Sequence, residues 1–174
     1  MLSKELRSAS QIVALVGLFF STLMFIPWLA SVAVGWKGGD PFLWSGLTAG
    51  FGCILILLAT RGETPKISAR FGILVVNFLW WVVPLICAFP FILALPELTI
   101  VDAIFESTSG LTTTGATVLS DLINQPRPIL LWRSLMQWVG GLGILSLGLI
   151  LLPFLRAGGM QLFRMESSDW ADKP

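Results

Sequence analysis

The sequence predicts an all-α integral membrane protein. Two N-terminal transmembrane helices come first. One further unit follows, in which two long helices flank a half-length segment and a polar loop. Three observations carry this. The chain is 55% hydrophobic and 12% charged over 174 residues, with mean hydropathy +0.85, whereas soluble domains carry about 25% charged residues. Four stretches reach the roughly 20 apolar residues that a bilayer crossing needs. Between the third and fourth lies STSGLTTTGATVL, residues 107–119, made almost wholly of hydroxyl side chains and glycine.

The first span is expected over 11–34. ASVA at 30–33 has the small residues of a cleavage site, but the apolar run before it exceeds the ~7–15 residues of a signal-peptide core, and Glu5 sits in the charged lead, so a membrane helix is expected. The second span covers 42–60 and the third 71–95, where Pro84 and Pro90 predict kinks or an early loosening. The segment 99–109, TIVDAIFESTS, is about 11 residues long, or about 16 Å as a helix, half a bilayer. It is therefore an interfacial or a re-entrant helix. The fourth span covers 129–155. GGDP at 38–41, RGETP at 61–65 and NQPRP at 124–128 punctuate the boundaries. These divide the chain into an N-terminal two-helix membrane region (1–62), a unit of two spans with the half-length segment and polar stretch between them (63–158) and a polar tail (159–174).

Lysine and arginine set the expected orientation. Lys4, Arg7, Arg61, Lys66, Arg70, Arg156, Arg164 and Lys173 fall on one side, and Lys37, Arg127 and Arg133 on the other. Both termini are thus expected in the cytoplasm, with the polar stretch facing outward. Asp40, Glu97, Asp102, Glu106 and Asp121 lie on the outer side. They are either a solvated surface or a mouth that gathers cations. The chain has no histidine, the commonest general base and metal ligand, and nothing suggests an enzyme or a nucleic-acid partner. Cys53 and Cys87 lie in apolar runs and read as small buried hydrophobes.

Non-helical backbone at membrane depth is tolerated only when buried in protein or lining a watery path. The polar stretch is either an ordinary loop or such a lining. As a lining it suits a dehydrated cation, which needs several oxygens at once. Thr113 and Thr114 offer carbonyls, with Thr112 and Thr117 hydroxyls nearby, and Gly115 permits a positive φ. The half-length helix would aim its partly negative C-terminal end at the same place.

DAIFESTSGLTTTGATVL, PRPILLWRSLMQWVGGLGIL and LLPFLRAGGMQLFRMESS together resemble the TrkH/TrkG/KtrB family of potassium uptake proteins, most closely its TrkH branch, over essentially the whole chain. The resemblance implies a helix–pore-loop–helix repeat of the K⁺-channel-like superfamily. Residues 71–95 would be the outer helix, 99–109 the pore helix, 112–117 the filter and 129–155 the inner helix. The ion-binding positions would be Thr112, Thr113, Thr114, Gly115 and Ala116. It further implies potassium as the transported ion without an organic cofactor, a bacterial inner membrane, a dimer of complete pore chains, and a TrkA-like cytoplasmic nucleotide-binding regulator. Family members carry four such repeats; one is found here. A truncated chain is therefore expected. A homotetrameric cation channel and a non-transporting remnant or assembly factor are the alternatives.

Asp102 and Glu106 stand four apart on one helix face. Asp102 suits the helix N-terminus and, with Glu106 and Arg133, is expected to support the filter. Glu106, deeper, is expected to support the filter by accepting amide hydrogens or by pairing with Arg133, or else to tilt to outside water. Gly140, Gly141, Gly143 and Gly148 suit close helix packing or a hinge. Trp80, Trp81, Trp132 and Trp138 suit interfacial anchoring or packing, and Asn77 suits an interhelical hydrogen bond.

Overall fold

The computed structural model describes residues 2–61 and 69–146, all helix, turn or loop. The expected end of the fourth span, the tail, Gly148 and most of the loop between the second and third spans lie outside these residues.

α1 (Leu2–Leu23) and α2 (Phe25–Val34) form one apolar crossing from Glu5 to Val34. The helix breaks at Met24, a division not expected from the sequence. Pro27 explains it, because its ring clashes with the Leu23 carbonyl and it brings no N–H to bond there. α3 (Asp40–Ala59) starts with Asp40 and Pro41 in its first turn, where an acid suits the helix dipole and proline loses no bond. α4 (Ala69–Ala94) runs through Pro84 and Pro90 without interruption, so the expected loosening is absent. Among the described residues, three helices are long and apolar enough to cross a membrane.

α5 (Ile100–Leu111) is the half-length helix. Thr99 and Asp102 form a capping box at its start: the Asp102 amide donates to the Thr99 hydroxyl at 3.2 Å, and the Thr99 amide donates to the Asp102 carboxylate at 3.1 Å. A strand of irregular backbone, without helix or β-pairing, follows over 112–121, then a short 3₁₀ turn (Leu122–Asn124) and α6, helical from 127 to 146 within the described residues.

α1 packs along α3 and α4, and α5 lies on α4. Gly46 and Gly50, four apart on α3, bring Ser21 of α1 against the helix, as small residues do where lipid gives no hydrophobic drive to pack. Buried Phe42, Phe91, Leu111, Ile129, Trp132 and Met136 join α3, α4, α5 and α6 in one core. Trp132 is fully buried. Its indole donates to the Cys87 carbonyl at 3.1 Å, and its ring meets Phe42 edge-on. Trp81 and Trp138 are exposed, whereas Cys53 and Cys87 are buried and free. Asn77 departs from expectation. It is exposed and donates to the Ile73 carbonyl of its own helix at 2.8 Å, the nearest acceptor one turn back.

Gly140 is the tightest contact between the half-length helix and α6. A Cβ there would lie 2.0 Å from the Leu111 carbonyl oxygen, which accounts for glycine by packing. Gly143, one turn on, would meet nothing within 4 Å. Gly140→Ala should therefore lower stability by about 1–3 kcal/mol, read as an earlier thermal unfolding of the full-length protein in detergent. Gly143→Ala should leave unfolding unchanged or slightly later, by up to about 1 kcal/mol of helix propensity. Equal effects of the two variants would contradict this account of the packing.

Candidate functional site

The polar stretch is laid out by α5. Its last turn passes directly into the strand, and the Ser109 carbonyl accepts the Thr114 amide at 3.0 Å and the Gly115 amide at 3.4 Å. In a trans peptide the N–H and the preceding C=O point in opposite directions. With both amides aimed back at the half-length helix, the carbonyls of Thr113 and Thr114 face away from it, toward the exposed side. Thr113, Thr114, Gly115, Ala116 and Thr117 are all exposed, though they follow a buried helix.

The backbone twists in alternation to achieve this. Thr112 has φ −79°, Thr113 +59°, and Gly115 +74°, with Thr114 between them on the negative side. Glycine adopts the positive region freely. For β-branched Thr113 it is a strained conformation, one that composition argues against and surrounding structure must impose. The Thr113 amide donates to the Gly110 carbonyl at 3.0 Å, and its hydroxyl donates to the Thr112 carbonyl at 2.6 Å. The Thr112 and Thr114 hydroxyls bond each other at 2.8 Å, while Thr112 caps α5 with its own hydroxyl on the Thr108 carbonyl at 2.9 Å.

Behind the strand lies a buried ionic cluster. Glu106 is 1% exposed, which overturns the picture of a carboxylate tilted into outside water. Its Oε2 pairs with the Arg133 guanidinium of α6. Its Oε1 accepts the Thr117 hydroxyl at 2.6 Å and the Val118 amide at 2.6 Å. Arg133 also donates to the Thr117 hydroxyl oxygen at 2.8 Å, and the Leu119 amide donates to the same oxygen at 3.1 Å. Pairing and amide acceptance, weighed in the sequence as alternatives, occur together. A buried ion pair holds only where such extra bonds satisfy its remaining groups.

Two expected site residues fall elsewhere. Asp102 is spent on the capping box and makes no bond to the strand, because it stands one turn before Glu106 at the far end of the helix. The Ala116 carbonyl accepts the Ser109 hydroxyl at 2.6 Å and so points toward the half-length helix, away from the exposed row. Ser109, beyond the expected set, binds the strand, and Thr117, expected within the filter, turns its hydroxyl back onto Glu106 and Arg133. Both are hydroxyls in a run of hydroxyls, and only backbone direction separates those that face back from those that face out. Ser107, also buried, anchors the helix by donating to the Pro84 carbonyl of α4 at 2.7 Å.

The arrangement presents a short row of carbonyl oxygens on a hydrogen-bonded, exposed strand at the C-terminal end of a half-length helix. It can offer oxygens to a cation from one side. Among the described residues no cluster of His, Cys, Asp or Glu could hold another metal ion.

The profile of a family described as "TrkH: Cation transport protein" matches residues 48–172. The Trk system potassium uptake protein TrkH of Escherichia coli K12 is 41% identical over 161 residues, covering 92% of this chain and 33% of that protein. TrkI of Halomonas elongata, also a Trk system potassium uptake protein, is 46% identical over 94 residues, 54% of this chain and 19% of that one. The crystal structure of the potassium transporter TrkH from Vibrio parahaemolyticus superposes with a TM-score of 0.81 at 34% identity, covering 95% of this chain and 36% of that one. The chain thus spans about a third of the length of the TrkH relatives it matches.

Glu106→Gln leaves the Arg133 charge buried without its partner. It should lower stability by about 3–5 kcal/mol, read by thermal unfolding of the full-length protein. Adding Arg133→Gln should recover part of that loss. Unfolding of Glu106→Gln at the wild-type temperature would show that the pair carries no structural weight.

Proposed function

Because this chain belongs to the TrkH family of cation transport proteins, we propose that it builds one wall of a potassium-uptake pore, with Thr112 to Gly115 as its filter strand. The reading is carried by one observation: the Thr114 and Gly115 amides are both held by the Ser109 carbonyl, which turns the Thr113 and Thr114 carbonyls to the exposed side. A cation that sheds its water needs a cage of such oxygens at fixed distance. The partly negative C-terminal end of α5 adds to the attraction.

A single strand reaches an ion from one side only. The other walls are supplied by further repeats of the same polypeptide or by further copies of this chain. The exposure of the strand fits a surface awaiting those walls. Glu106, Thr117 and Arg133 act behind the strand and hold it against α6. Thr113 and Thr114 serve as the oxygen donors, and Gly115 supplies the positive φ.

The remainder of the proposal follows the family. The pore sits in a bacterial inner membrane with both termini cytoplasmic. Complete pore chains pair as dimers, and a cytoplasmic nucleotide-binding protein of the TrkA kind regulates them. Translocation involves no covalent step. Exposed Asp40, Glu97 and Asp121 fit a solvated outer surface.

Gly115→Ser tests the filter. A side chain there has space, since the nearest atom to an added Cβ is the Gln137 amide at 3.9 Å, but φ +74° strains it. Uptake measured on the full-length protein in a strain lacking potassium uptake should show a preference for K⁺ over Na⁺ reduced by about tenfold or more, or no uptake. Unchanged selectivity would contradict the filter assignment.

A further inference from the structure

The peptide joining Ala116 to Thr117 faces the opposite way from the peptides that follow Thr113, Thr114 and Thr117. The two peptides that join Thr113, Thr114 and Gly115 send their N–H groups back to the Ser109 carbonyl. The peptide after Thr117 sends the Val118 N–H back to Glu106. All three therefore turn their carbonyls to the exposed side. Between them, the Ala116 carbonyl turns inward onto the Ser109 hydroxyl at 2.6 Å, and the Thr117 N–H turns out. Ser109 is 6% exposed and does both jobs. Its carbonyl aligns the Thr113 and Thr114 carbonyls, and its hydroxyl holds a peptide that breaks their pattern.

We propose that Ser109 is a positioning residue for ion selection: its hydroxyl holds the Ala116 carbonyl out of the exposed row and sets the Thr117 N–H, rather than that oxygen, between the outward Thr114 and Thr117 carbonyls. This rests on the reading of residues 112–115 as a potassium filter. The physical consequence concerns ion size. Discrimination between K⁺ and Na⁺ depends on the number and placement of the oxygens that face the ion. A row from which the Ala116 oxygen is held back offers a set number of oxygens. Freed from Ser109, the Ala116 carbonyl can swing outward and close on a smaller ion of higher field. Loss of the hydroxyl should therefore favour Na⁺.

The test uses the full-length protein carrying this chain, expressed in a strain lacking potassium uptake. Rb⁺ influx and its competition by K⁺ and Na⁺ are measured, with thermal unfolding of the purified protein alongside. Ser109→Ala should reduce the preference for K⁺ over Na⁺ by about tenfold, the scale of one buried hydrogen bond. Ser109→Thr, which keeps the hydroxyl, should hold that preference within about twofold of wild type. A merely structural role would move the unfolding temperature and the amount of protein in the membrane, leaving the ratio of the two ions alone. The inference is overturned if Ser109→Ala keeps wild-type preference, or if both variants lose it equally; wild-type preference then leaves the filter reading standing. A wild-type protein with no preference for K⁺ overturns both.

Discussion

The buried pair of Glu106 and Arg133 is the constraint on which the rest of the site depends. A carboxylate at membrane depth is costly unless every lone pair finds a partner. Glu106 divides its two oxygens between Arg133 of α6 and the Thr117–Val118 end of the strand. That division ties three elements to one point. α5 supplies the acid, α6 the base, and the strand between them the hydroxyl and amide. Moving any one of them leaves a charge or a donor unmatched in a medium without water. The pair therefore fixes geometry more than it adds stability, since a well-packed apolar replacement of a buried pair is often as stable.

Given that fixed point, the strand has little choice. It is anchored at Ser109 on one side and Glu106 on the other. The span between is short enough that Thr113 is forced to φ +59°, a strained value for a β-branched residue. Gly140 completes the frame by letting α6 close onto the Leu111 carbonyl, just where the helix becomes the strand. Indole bonding of Trp132 to Cys87 and hydroxyl bonding of Ser107 to Pro84 fasten the same unit to α4. Polar contacts to backbone carbonyls add here to the apolar core that joins the same helices.

Much of this was legible in the sequence, and the gaps have physical causes. The half-length helix showed as an apolar segment too short to span, and it lies at Ile100–Leu111. Gly115 was readable because glycine is the residue that adopts positive φ without strain. Thr113 was not, because its positive φ comes from anchors on either side rather than from its own preference. Ser109, and the inward turn of the Thr117 hydroxyl, were hidden in a run of like hydroxyls. Composition cannot say which of them faces back, and only peptide direction decides it. Asn77 was misjudged because a carbonyl one turn back on its own helix is always within reach. The break at Met24 was written in Pro27, whose effect falls one turn before it.

The central claim is that the Thr113 and Thr114 carbonyls form one wall of a cation site. Anomalous diffraction from crystals of the full-length protein soaked in Rb⁺ or Tl⁺ tests it most directly. The account predicts an anomalous peak within coordination distance of the Thr113 and Thr114 carbonyl oxygens, at about 3 Å. A transport-competent protein whose anomalous peaks lie away from these oxygens, or against threonine hydroxyls alone, would contradict it.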